Sequence, residues 1–203
     1  MGGGYLDEFA EVHTKDLLVR QSLGAAIPSA GVGTCLSRNL VLSLSAQNGD
    51  QLLAPPSLTE DYQAGLQAAK KGWTSRFYAL TEEDGRLIAT REFFPDRFQA
   101  AVKQKTRWTY GIALQGFREM SWFGGFWQRY FLWRDRKSLI SAFLTANCFL
   151  ALFVIGFSDA FEGAHFAPVI SNLLMANLLG LGLRLSVRSY VVGRTHGLRS
   201  AAL

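Results

Sequence analysis

Apolar positions recur at helical spacing over residues 5–23, "YLDEFAEVHTKDLLVRQSL", with Leu6, Phe9, Ala10, Leu17 and Leu18 marking the apolar side. Acids early and bases late in that segment suit the helix dipole. A small, glycine-rich stretch, "IPSAGVGTCLSR" at residues 27–38, then runs into a helical "NLVLSLSAQNG". "SLTE" at residues 57–60 fits a capping box, with Ser57 as N-cap and Glu60 at the third helical position. That helix is expected to run to Lys71 and to end at Gly72. "WTSRFYAL" and "GRLIATREFF" alternate well enough for two strands joined by the turn "TEEDG". From Phe98 a further helix carries "QAAVKQKTRWTYGIALQGF".

Beyond residue 137 the pattern changes. Residues 138–157 carry no charge over 20 positions, which as a helix covers about 30 Å, the hydrocarbon thickness of a bilayer. Residues 164–183 form a second candidate span, with His165 near one end and Pro168 in its first turns. The loop "SDAFEG" between them is acidic, and the outer flanks "WRDRK" and "RLSVRSYVVGR" are basic. The positive-inside rule then puts both flanks and everything before Arg134 in the cytoplasm. The competing reading is a buried helical hairpin of a soluble protein. The segment before the first span, "SWFGGFWQRYFLWRDRK", places Trp122, Trp127, Tyr130 and Trp133 where rings gather at a lipid–water boundary. For Phe123 and Phe126 an aromatic core helix competes with that reading. "SVRSYVVGRTHGLRSAAL" reads as another interfacial segment.

Charge sharpens this picture. The net charge is +5, but residues 1–90 hold 7 Lys/Arg against 10 Asp/Glu, whereas residues 91–137 hold 10 against 4. The basic surplus flanks the most apolar part of the chain, which suits a membrane surface, and no compact nucleic-acid-binding motif is present. The spans carry only Asn147, Asn172, Asn177, Ser and Thr as polar groups, which argues against an ion or proton relay. Cys35 and Cys148 show no metal spacing, and one lies in an apolar run, so a disulfide between them is not expected. "MGGGYLDEF" lacks the basic and apolar regions of a signal peptide.

Three stretches carry candidate chemistry. Capping accounts for Glu60, but it does not require Asp61, whose carboxylate could face a cleft and accept a proton. Gly31 and Gly33 permit close backbone approach to a ligand, although by themselves they are better explained as a structural turn. Gln104, Arg107 and Trp108 stand at i, i+3 and i+4 and share a helix face. Arg offers a planar fork for phosphate oxygens and Trp a stacking plate for a sugar ring. The alternative, that Arg107 and Trp108 are an interfacial anchor, stays open on chemistry alone.

"TED" at residues 59–61 followed by "QKTRW" at 104–108, with a membrane hairpin just after, resembles the processive family-2 glycosyltransferases. "YLDEFAEVHTKDLLVR", "PSAGVGTCLSR" and "LTEDY" are similar, more closely, to the bacteriophage N-four adsorption protein B family of bacterial inner-membrane glycosyltransferases. The resemblance implies an α/β fold: residues 1–98 as the C-terminal part of a GT-A-like domain and 99–137 as the second motif with interfacial helices. Residues 138–183 would be the transmembrane hairpin and 184–203 a cytoplasmic interfacial segment. It implies Asp61 as catalytic base, with Glu60 beside it. Gln104, Arg107 and Trp108 would hold the acceptor end and the departing diphosphate, with Thr59, Gly33 and Thr34 also lining the substrate pocket.

The implied partners are a UDP-sugar donor, a polysaccharide acceptor, the lipid bilayer and an outer-membrane export partner, with no nucleic acid. The implied cofactor is a divalent cation, Mg or Mn. Its DxD ligands are missing, since no two aspartates stand two apart. The expectation is therefore a C-terminal part of the catalytic domain, poor at binding donor by itself. The alternative is a non-catalytic membrane-anchored partner.

Overall fold

The computed structural model describes residues 9–51, 57–85, 88, 95–162 and 168–196. The chain divides into two compact units, Met1–Ser138 and Leu139–Leu203.

In the first unit, helix α1 covers residues 9–22 and includes a π-helical segment Val12–Asp16 followed by Leu17–Ser22. Helix α2 is Arg38–Gln47, capped by Ser37, whose Oγ accepts from the Leu40 N–H at 3.3 Å. Helix α3 is Glu60–Lys70, α4 begins as Phe98–Thr109, and α5 is Phe126–Arg136. Helix α4 continues without a break through a π-helical segment Tyr110–Gln115 to Gly116–Met120. The expected helix from Phe98 is therefore present and one turn longer than its apolar pattern required.

Helix α3 is the centre of this unit. Ala64 and Ala68 pack with Leu40 and Leu44 of α2. Tyr62 and Leu66 pack with Met120 and Leu132, joining the ends of α4 and α5. Leu44, Leu66 and Leu132 are fully buried, each contributing about 2 kcal/mol from removal of apolar surface from water. Gly65 lies on a third side, where a Cβ would stand 2.5 Å from the Ser29 nitrogen. Gly72, at φ +84°, ends α3 by donating to the Ala69 carbonyl while the Trp73 N–H reaches the Ala68 carbonyl, the two bonds of a Schellman motif.

Two local expectations are corrected. The N-cap of α3 is Thr59, not Ser57, and no side chain caps it. Ser57 Oγ instead accepts from the Thr59 N–H at 3.3 Å, forming a tight turn ahead of the helix. Over residues 73–80 no strand ladder forms among the described residues, so the α/β expectation is not met there. The Phe77 N–H, which a ladder would need, donates to Gln21 Oε1 at 2.6 Å. What remains is the turn, with Gly85 donating to Glu82, and one pairing of the Ile88 N–H with the Leu80 carbonyl at 2.8 Å. Most of the second expected strand, residues 86–87 and 89–94, lies outside the described residues.

The second unit holds α6, Ser138–Glu162, and α7, Pro168–His196. Helix α6 runs on through Ser158–Glu162, where a loop was expected, because "SDAFE" holds no helix-breaking residue. Pro168 opens α7, a position that its missing N–H tolerates. Helix α7 continues past residue 183 to His196, and residues 197–203 lie outside the description. Among the described residues no helix is long and apolar enough to cross a membrane.

Candidate functional site

Asp61 occupies the second position of α3, where the helix dipole favours a carboxylate. It is half-buried, and its Oδ1 accepts from the Tyr62 N–H at 2.7 Å. Its other oxygen faces the glycine-rich segment: a Cβ on Gly31 would stand 3.2 Å from Asp61 Oδ2. Gly31 adopts φ +79° and Gly33 φ +72°, conformations that side chains resist. Within this loop Ser29 Oγ accepts from the Gly31 N–H at 3.0 Å and lies 2.9 Å from Thr34 Oγ1. Gly65, one turn after Asp61, lets the backbone of residues 27–29 approach α3 directly. The glycines are thus used twice, once to dock the loop on α3 and once to leave room beside the carboxylate. Gly33 and Thr34 stay exposed on the outer part of the loop, and Glu60 is half-buried at the first position of α3.

Thr59 is 4% exposed, and its side chain fills the space that a Cβ on Gly111 would need, 2.7 Å from Oγ1. The neighbouring Leu58 N–H donates to Gln115 Oε1 at 3.1 Å. The first motif therefore rests on α4 through Gly111 and Gln115, immediately beyond the second motif. Within the second motif Gln104 and Trp108 are half-buried and Arg107 is exposed. Phe9 meets Trp108 edge to face at 6.2 Å, and the Lys105 ammonium lies 5.5 Å from the Trp108 ring centroid. Among the described residues no hydrogen bond or ion pair joins Asp61 to Arg107. Among those residues Thr59 Oγ1 and Gln104 Oε1, one from each motif, are buried without a hydrogen-bond partner. Buried polar atoms are normally paired, and among the described residues Gln63, Gln128 and Arg136 also hold buried atoms without a partner.

Sequence reasoning missed the polar cluster behind Asp61. Tyr62 donates through its hydroxyl to Asp135 Oδ2 at 2.7 Å, and the Arg20 guanidinium grips both Asp135 oxygens at 3.1 and 2.9 Å. Arg20 also donates to the Ala26 carbonyl, whose own residue's N–H reaches Gln128 Oε1. Burial, reinforced by the Asp135 carboxylate, pushes the Tyr62 phenol well above its ordinary pKa. Burial lowers the Arg136 guanidinium, which bonds the carbonyls of Ser121 and Gly116. The only trace of this cluster in the sequence is the basic run "WRDRK", which reads as a membrane flank rather than as a partner set.

The implied divalent cation does not fit the residues present. Among the described residues no group of three or more His, Cys, Asp or Glu could hold a metal ion. Glu60 and Asp61 offer two carboxylates on successive positions and no third donor.

The chain matches the model described as glycosyl transferase family group 2 over residues 1–181. It belongs to that glycosyltransferase family. Across a 209-residue alignment it is 38% identical to the bacteriophage adsorption protein B of Escherichia coli K12. The identity is the same to the bacteriophage N4 adsorption protein B of Escherichia coli O157:H7. Each alignment covers 92% of this chain, and the chain spans 28% of the length of each relative. No solved structure matches it. The two motifs lie within the matched residues.

Proposed function

We propose that the chain supplies the acceptor-side half of an inverting glycosyltransferase that extends a cell-surface polysaccharide from a UDP-sugar. The supporting observation is the pair of unpartnered buried oxygens, Thr59 Oγ1 and Gln104 Oε1, on packed elements that also carry Asp61 and Arg107. Asp61 accepts the proton of the acceptor hydroxyl through Oδ2, on the side facing Gly31. The freed oxygen pair forms the new bond to the anomeric carbon. The bond from that carbon to the diphosphate oxygen breaks on the opposite face, inverting the centre, and its electrons leave with the nucleoside diphosphate. Arg107 answers the charge that develops there, and Gln104 and Trp108 orient the sugar. The loop at Gly33 and Thr34 borders the acceptor.

In the same reading α6 and the first part of α7 cross the bacterial inner membrane, with the first unit and both termini in the cytoplasm. Large apolar side chains such as Phe143, Phe149, Phe153, Leu179 and Leu183 are more than half exposed within this unit. Asn147 turns its amide back onto the carbonyl of Phe143, as polar side chains do where water is absent. A second reading, a non-catalytic membrane-anchored partner, draws on the missing cation ligands.

Sugar transfer decides between them. Membranes carrying this chain, alone and substituted for the matching segment of the Escherichia coli K12 relative, are supplied with radiolabelled UDP-sugars. Asp61→Asn is expected to lower incorporation by about 10²- to 10⁴-fold, the range for losing a positioned base. Unchanged incorporation in that variant removes Asp61 from the chemistry.

A further inference from the structure

The transfer reaction leaves unused a groove on the exposed side of α5. Gly124, Gly125, Phe126, Arg129, Tyr130 and Trp133 line it, and its volume is about 500 Å³. Phe131, Leu132 and Asp135, which meet Arg20 of α1 or Tyr62 of α3, fall on the opposite side of the same helix at 3.6 residues per turn. The groove therefore lies apart from Asp61. Arg129 Nε donates to the Gly124 carbonyl at 3.1 Å, which anchors the guanidinium at the groove and leaves its terminal nitrogens free to bind. Lys137 sits near the groove, 5.3 Å from the Trp133 ring centroid. Arg20 and Arg134 each have a carboxylate partner, whereas among the described residues neither Arg129 nor Lys137 has one. Phe126 is 75% exposed, Tyr130 42% and Trp133 49%.

We infer that this groove binds the phosphate of an anionic phospholipid headgroup. The planar fork of Arg129 matches phosphate oxygens. A free phosphate would leave the three rings in water. A lipid brings phosphate to Arg129 and lays its glycerol and first methylenes on Phe126, Tyr130 and Trp133, which satisfies charge and apolar surface together. The inference rests on the proposed function and on reading α5, from its aromatic and basic sequence, as a helix at the membrane surface.

The full chain in bilayer nanodiscs separates the two ideas. Tryptophan quenching is compared for brominated phosphatidylglycerol and brominated phosphatidylcholine at equal mole fraction. The expected result is a local preference of about fivefold for the anionic lipid, retained in Arg118→Gln and abolished in Arg129→Gln. Retention of the preference in Arg129→Gln overturns the inference. Equal quenching of the wild-type chain by both lipids removes the headgroup site while leaving α5 at the membrane. Absence of quenching by either lipid removes both ideas together. Loss of the preference on adding millimolar inorganic phosphate would overturn the lipid assignment in favour of the free anion.

Discussion

Tyr62 shows how one residue fixes the base next to it. Its phenol points into the Asp135–Arg20 pair, so the backbone that presents Asp61 is held from the opposite side of α3. Replacing it with Phe removes a hydrogen bond to a charged acceptor, an expected cost of about 2 kcal/mol at neutral pH. The raised phenol pKa gives this contribution a pH dependence. Below the ordinary tyrosine pKa of about 10 both states are protonated and the contribution is complete. Above it the unfolded chain gives up the proton that the folded chain keeps, so stability falls as pH rises. Denaturant melts between neutral and strongly alkaline pH should show a steeper alkaline loss for the wild-type chain than for Tyr62→Phe. Parallel curves would remove Tyr62 from the balance. None of this was legible in "LTEDY", because the partners lie 42 and 73 positions away in sequence, at Arg20 and Asp135.

At the scale of elements, α3 is held on three sides and the glycines set how closely its neighbours come. Gly65→Ala places a methyl group 2.5 Å from the Ser29 nitrogen and 2.8 Å from the Ile27 carbonyl, both backbone atoms that cannot swing aside. The expected cost is roughly 1–3 kcal/mol, the range for overpacking, together with faster proteolysis of residues 27–34. Gly180→Ala, where a Cβ meets nothing within 4 Å, should leave the melt unchanged or raise it slightly. Equal melting of the two variants would contradict the close approach. The sequence read Gly31 and Gly33 as loop glycines, and the structure agrees. Gly65 carries no such signal, since nothing local says which stretch of backbone a missing side chain admits. The helices themselves were legible from period and caps. The strands were not, because alternation cannot say whether a partner takes the backbone N–H groups, and Gln21 took that of Phe77.

For the whole molecule, the two cysteines test the proposed arrangement without touching any motif. Cys35 lies exposed beside the glycine-rich loop, and Cys148 lies on α6. In inverted inner-membrane vesicles a membrane-impermeant maleimide should modify Cys35 at once. Cys148 should react only after detergent is added. Mass spectrometry of the labelled peptides reads both sites, and rapid labelling of Cys148 in sealed vesicles would place α6 in water. The long uncharged runs behind this proposal were plain in the sequence, as was family membership through the paired motifs. The packing that brings Thr59 onto Gly111 was not, because it depends on how α4 is wound.

That winding has a consequence for how such chains can diverge. The wide turn at Tyr110–Gln115 holds the Gly111 and Gln115 supports of the first motif and sets the phase between the flanking halves of α4, the first of which carries Arg107. Loss of one residue there is taken up by closing the wide turn into an ordinary one, but loss of a second finds no such slack and rotates one half against the other by about 100°. Both signatures would remain intact to the letter while pointing to different sides of the molecule. Spacing, more than spelling, is what natural variation must preserve in that stretch.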